Sequence, residues 1–180
     1  MKLIPKIFIL IIILASCSST SRGYRDVEFF EVNSISKGSY RGVAHFVKYG
    51  GELSPKEQDS LRPYVSYLLQ YKGLVEVASE DEAELSIIVN YKDDSKEQVL
   101  MLTAYSINLY KALKEIRPMW QSTSRYAGRL QPSKYKLTKL ALSLRDVVGA
   151  NAIPEQRYFR LNPDNPVIEN TFKYINDSRQ

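Results

Sequence analysis

Residues 7–14, "IFILIIIL", form an unbroken apolar run whose length constrains everything after it. A bilayer-spanning helix needs roughly 20 apolar residues, so this run is too short to cross. Lys2 and Lys6 lie ahead of it and the small residues Ala15 and Ser16 follow, which is the layout of a secretory signal that is cut away. Cys17, the only cysteine of the chain, comes next. Past it no pair of thiols exists to form a disulfide, so a domain working outside the cytoplasm has to be held together by its packed core. Removing residues 1–16 from a chain of 180 leaves 164, an ordinary length for one domain.

The tetrapeptide Leu14-Ala15-Ser16-Cys17 resembles the lipobox of bacterial lipoproteins, in which the cysteine is diacylated and the preceding peptide bond is then cut. The resemblance implies that Cys17 is the lipidated first residue of the mature chain. Each buried acyl methylene contributes about 0.8 kcal/mol, so several chains on one residue anchor durably where one would be marginal. Ser18, and not Asp, follows the cysteine. In the terms of the resemblance that implies the periplasmic face of an outer membrane, with an inner membrane or a Gram-positive cell membrane as the alternatives. Small polar residues then make 17–26 a tether carrying the lipid.

Charge excludes one class of partner. The formal net charge is +5, and because residues 1–16 hold two lysines and no acid, the mature chain carries +3. Its cations are interspersed with acids and form no basic stripe, so no nucleic acid is expected as a partner. Catalytic signals are equally sparse. His45 is the single histidine, so neither a multi-histidine metal site nor a choice of imidazole bases is on offer, and it reads as a strand residue at the sheet surface. The acidic segment 79–84, "SEDEAE", lacks the spaced oxygen ligands and the glycine of a calcium loop. There is no glycine-rich phosphate loop and no GxSxG elbow. The expectation is a non-enzyme with no catalytic residue, metal or cofactor.

The rest of the chain alternates between strand and helix patterns. Residues 27–32 and 39–49 are β-branched and aromatic around the turn-forming 33–38, and read as a hairpin. Ser54, Pro55 and Glu57 make a capping box with proline at the first helical position. Leu61, Val65 and Leu68 then recur at helical spacing with Tyr64 and Tyr71 beside them, and Gly73 stands at a C-cap. Pro63 predicts a kink or a split. Residues 74–77 form a short strand, and in 85–91 Leu85, Ile87, Val89 and Tyr91 share one side at period two. A charged turn leads to 98–113 and 119–130, read as a second hairpin whose link contains Pro118. Ser133 is the predicted cap of an amphipathic helix with Leu137, Leu140, Ala141, Leu144 and Val148 on one face and Gly149 closing it. Asn165-Pro166 can start a short helix through Ile168, Phe172 and Ile175.

These elements predict a two-layer α/β (α+β) sandwich, with an antiparallel or mixed sheet of about five or six strands and two main helices. The organisation is signal 1–16, lipidated tether 17–26, sandwich domain 27–152 and C-terminal extension 153–180. Residues 60–91 and 106–130 resemble a widespread domain of unknown function found in Gram-negative lipoproteins. That family runs helix, Gly turn, strand, acidic-Ala, strand, Trp-led strand and closing helix, and the likeness covers roughly 27–152. The corresponding elements here are Glu82-Ala83-Glu84 and Trp120 followed by Gln121, where the family has Ala-Asp and a small residue. The resemblance implies a fold and an envelope location, and no activity.

Tyrosine exceeds the ordinary share, at thirteen residues. Tyr64, Tyr67 and Tyr71 follow one another on the first helix and are the candidate binding surface, since an amphipathic ring suits a half-buried position facing a partner. Tyr105, Tyr110 and Tyr126 fall on the second hairpin. Two roles follow for an anchored envelope lipoprotein. One is a non-catalytic structural or assembly adaptor that holds an envelope protein partner through a sheet edge or the tyrosine surface. The other is an accessory subunit of an envelope transport system, binding a lipid-like or other small ligand in a groove between sheet and helices.

Overall fold

Period-two alternation builds the centre of the molecule. The computed structural model describes residues 27–36, 38, 40–94, 96–127, 134–150 and 157–177; Cys17, the tether and Ser133 lie outside the described residues. Leu85, Ile87 and Val89 point to one face of β4 (Leu85–Asp93) and are buried. β5 (Glu97–Ser106) sets Ala104 opposite Ile87 and Leu102 opposite Val89, and β6 (Pro118–Ala127) sets Trp120 opposite Ala104. β1 (Glu28–Ser36) and β7 (Arg157–Leu161) continue the sheet on one side. On the other side lie β2 (Ala44–Tyr49) and the two-residue β3 (Val75–Glu76). The strand order is β3-β2-β4-β5-β6-β1-β7. β2 runs parallel to β3 and β4, and the other pairings are antiparallel.

The protein is therefore a mixed α/β structure. The described residues form seven strands and four helices, more than the five or six strands and two main helices expected. Three expectations need correction. The first is the hairpin of 27–32 with 39–49: β1 pairs with β6 and β7, and three strands separate it from β2. Turn residues signal a change of direction and do not select the partner. Here Tyr40 is buried against Trp120 and its hydroxyl donates to the Met119 carbonyl at 3.1 Å, holding the link at the end of the sheet.

The second correction concerns the link of the β5–β6 hairpin. The strands pair as expected, but Ile107–Leu113 is a helix, α2, with the Ser106 hydroxyl accepting from the Leu109 N–H and Lys114 ending it in the left-handed region at φ 56°. Tyr110 therefore sits on a helix. The third concerns the extension 153–180, whose Pro- and Asn-rich sequence predicts no strand: β7 lies in it and pairs antiparallel with β1.

The first helix, α1 (Pro55–Tyr71), follows its sequence signals closely. The Glu57 N–H donates to the Ser54 hydroxyl while the Ser54 N–H donates to the Glu57 carboxylate. Helix α1 runs unbroken through Pro63, so the split does not occur. It ends on Gly73, φ +75°, with Gly73 N–H donating to the Gln70 carbonyl and Leu74 N–H to the Leu69 carbonyl, a Schellman closure.

Helices α1, α3 (Lys136–Leu144) and α4 (Pro166–Asp177) cover one face of the sheet. Leu61, Leu68, Leu140 and Leu144 are buried between the layers, each contributing about 1.5–3 kcal/mol of transfer free energy. Helix α3 is buried on its flanks as well as its apolar face, because α1 and α4 enclose it. Its N-cap is Tyr135, with no side-chain cap. It approaches the sheet over a strip of hydroxyls. Ser34 and Ser122 lie 3.0 Å apart, Ser34 donates to the Val147 carbonyl, and Ser124 meets Ser143 at 2.6 Å, so these buried polar groups are satisfied.

Candidate functional site

The three sequence-selected tyrosines do not act as one surface. Tyr64 is buried in the core beside Val65 and Leu68, so it is a packing residue and leaves the candidate site. Tyr67 is half-buried and Tyr71 is 54% exposed, one turn apart, with ring centroids separated by 6.3 Å. Helix α4 adds the ring that completes the group. Tyr174, 63% exposed, meets Tyr67 edge-on at 6.0 Å.

Sequence reading missed Tyr174, although the pattern of α4 contained it. Ile168 and Ile175 face inward, which places Tyr174 beside the seam with α1. Helices α1 and α4 bound an open groove here, in two connected parts of about 430 and 450 Å³ that share Tyr67, Gln70 and Tyr174. Asn170 adds an amide to its lining, and the Arg145 guanidinium lies 5.2 Å from the centroid of Tyr71. The result is a row of aromatic faces flanked by amide and cationic groups. Such a surface offers ring area at low entropic cost together with hydrogen-bonding edges.

The other tyrosines are dispersed. Tyr105 is half-buried on the sheet face opposite α1, α3 and α4, Tyr110 is exposed on α2, and Tyr126 packs against Phe30 at 5.3 Å. His45 also differs from its expected place at the sheet surface: it is fully buried under the helical layer. Its register opposite Leu85 puts it on the same side as the core residues of β4. Neither ring nitrogen makes a hydrogen bond of normal geometry. Burial is the main cause of its lowered pKa, opposed by the charge of Glu76 and the backbone at Val75.

The segment 79–84 forms a single 3-10 turn at Glu80–Glu82, capped by Ser79. Among the described residues no three His, Cys, Asp or Glu side chains converge as a metal site, and no helix is long and apolar enough to cross a membrane.

No protein-family model and no curated protein matches this chain. Two solved structures of PelC dodecamers from Paraburkholderia phytofirmans are similar to it at TM-score 0.41. They are 16% and 18% identical, each covering 67% of this chain and, respectively, 95% and 96% of that chain. At that TM-score the likeness transfers neither fold nor function.

Proposed function

We propose that this chain is a membrane-anchored envelope lipoprotein acting as a non-catalytic structural or assembly adaptor, which captures a partner protein at the tyrosine groove between α1 and α4. The observation that carries the reading is the exposed aromatic cluster of Tyr67, Tyr71 and Tyr174, built on two rigid helices and edged by Arg145. Tyrosine and arginine are the side chains that dominate protein interfaces. The lipobox at Cys17, with Ser18 after it, supports attachment at the periplasmic face of an outer membrane. Burial of the only histidine in the sequence speaks against imidazole acid/base chemistry, which needs a group that touches its substrate.

Lipid cargo between the layers is the weaker reading. The interlayer space is filled by Leu61, Leu68, Ile87, Leu140 and Leu144, all 0–1% exposed. The groove between α1 and α4 lies outside that interface and is open.

Crosslinking in intact cells, followed by purification of the lipoprotein, tests the proposal. One protein recovered in near-stoichiometric amount is expected, with recovery falling at least tenfold in the Tyr67→Ser/Tyr71→Ser/Tyr174→Ser variant while its melting temperature stays within a few degrees. Recovery of lipid without protein would refute it. Fatty-acid labelling tests the anchor: Cys17→Ser is expected to lose the label, and equal label on both forms would dismiss lipidation at that residue.

A further inference from the structure

The sheet leaves one edge half finished. β3 pairs with β2 only at Ala44 and His45, and after the Val77 N–H donates to the His45 carbonyl at 3.0 Å the chain turns away towards Ser79. In a parallel ladder alternate residues bond to opposite neighbours. Ala44 accepts from the Glu84 N–H, on the β4 side, so the odd-numbered residues of β2 direct their N–H and C=O groups outward. Beyond His45 these are Val47 and Tyr49. Among the described residues no backbone hydrogen bond reaches them on that side.

The open edge forms one wall of a groove of about 510 Å³, with Gln58 and Arg62 of α1 opposite and Glu76 and Val77 at one end. Its charges are not equivalent. Lys48 is paired with Glu80 at 2.6 Å, and Glu76 accepts from the Ser66 hydroxyl at 3.1 Å. The Gln58 amide donates to the Leu53 carbonyl. Arg62 is exposed, and its guanidinium makes no ion pair with any described residue. Tyr49 is held neutral beside it, its hydroxyl pushed up to about 12 chiefly by burial.

We infer that this groove binds an extended segment of a partner protein bearing a carboxylate side chain, which adds a strand to β2 along the line of β3 and places its carboxylate on Arg62. Strand addition takes its affinity from main-chain hydrogen bonds, and Val47 and Tyr49 present two donors and two acceptors spaced for it. A planar guanidinium matches a carboxylate with two parallel hydrogen bonds, which selects for an acid at one position of the segment. Arg62 also lines one part of the tyrosine groove, but the exposed edge of β2 at Val47 and Tyr49 belongs to this site alone, so the main-chain readouts below distinguish the two.

Panning a phage library of randomised heptapeptides against the purified full-length chain in detergent is the test. Enriched peptides are expected to carry an acidic residue and to lack proline. Synthetic copies are expected to lose at least tenfold in affinity with Arg62→Gln, and equally when alternate peptide nitrogens are methylated, a change that leaves the protein untouched. Hydrogen exchange at the Val47 and Tyr49 amides is expected to slow when peptide is bound. Failure to enrich any peptide, or binding that survives methylation, would overturn strand addition. Protection at Tyr67, Tyr71 and Tyr174 instead would overturn this site while supporting the tyrosine groove. Binding indifferent to Arg62→Gln would overturn the carboxylate assignment.

Discussion

Lys139 of α3 and Glu28 at the start of β1 form an ion pair inside the molecule, and its removal gives the sharpest stability prediction. The ammonium lies 2.7 Å from each of Oε1 and Oε2, and the two side chains are 7% and 11% exposed. At about 4 Å between charge centres and an effective dielectric near 20, the attraction is about 4 kcal/mol. Desolvating each ion costs several kcal/mol, so the intact pair contributes little net stability. Removing one partner is different, because the other charge stays buried without compensation. Glu28→Gln and Lys139→Met are each expected to cost about 3–5 kcal/mol. The Glu28→Leu/Lys139→Met double variant is expected to fall within about 1 kcal/mol of the parent or above it, since it buries no charge. For a domain of this size the single changes correspond to a Tm lowered by about 6–20 °C. Urea denaturation followed by the fluorescence of Trp120, the only tryptophan and fully buried, reads both quantities. A single variant costing under about 1 kcal/mol, or a double variant whose loss is the sum of the singles, would refute the reasoning.

The core of the helical layer is tested by Leu140→Ala and Leu144→Ala, both fully buried and each expected to cost about 2–5 kcal/mol in the same assay; losses under about 0.5 kcal/mol at both would mean the wrong face has been assigned. His45 is buried with its pKa lowered in the fold, so the unfolded chain takes up a proton first. Its contribution to stability is therefore whole above about pH 6.5 and is lost as pH falls, by at most about 1.4 kcal/mol per unit. His45→Leu is expected to flatten the dependence of the urea midpoint between about pH 7.5 and 5.5, and an unchanged slope would locate the titrating group elsewhere. Gly73→Ala forces φ +75° on an L side chain and brings its Cβ to 3.0 Å from Cγ of Arg41, and is expected to cost about 1–2 kcal/mol; a neutral result would show that the turn relaxes.

The division between what was legible and what was not follows the range of the forces involved. Signals within one helical turn or one strand could be read directly. The Ser54–Glu57 box, the closure on Gly73, the face of Leu85, Ile87 and Val89, and the buried stripe of α3 are all carried by residues at most a few positions apart. Strand partnership is not of that kind. The 33–38 segment shows that the chain changes course after β1, but whether β1 lies beside β2 or beside β6 depends on which surfaces are available once α1, α3 and α4 have covered one face. Helix α2 was concealed for a related reason: "INLYKAL" has the composition of the strand before it, and its cap, Ser106, is the last residue of that strand.

The candidate site divides in the same way. The sequence places Tyr64, Tyr67 and Tyr71 along one stripe of α1, at i, i+3 and i+7, and that spacing by itself does not determine which of them is covered. Only the packing of α1 on the sheet decides that Tyr64 goes in while Tyr71 stays out, and only the docking of α4, more than a hundred residues later in the chain, brings Tyr174 against Tyr67. Lys139 and Glu28 are a further case, 111 positions apart in the chain with 2.7 Å between their charged groups. Local patterning fixes which side of each element is apolar, because that depends only on backbone period. Which apolar sides meet, and which polar groups are enclosed with them, is set by the mutual burial of elements distant in sequence, and the tertiary structure alone decides it.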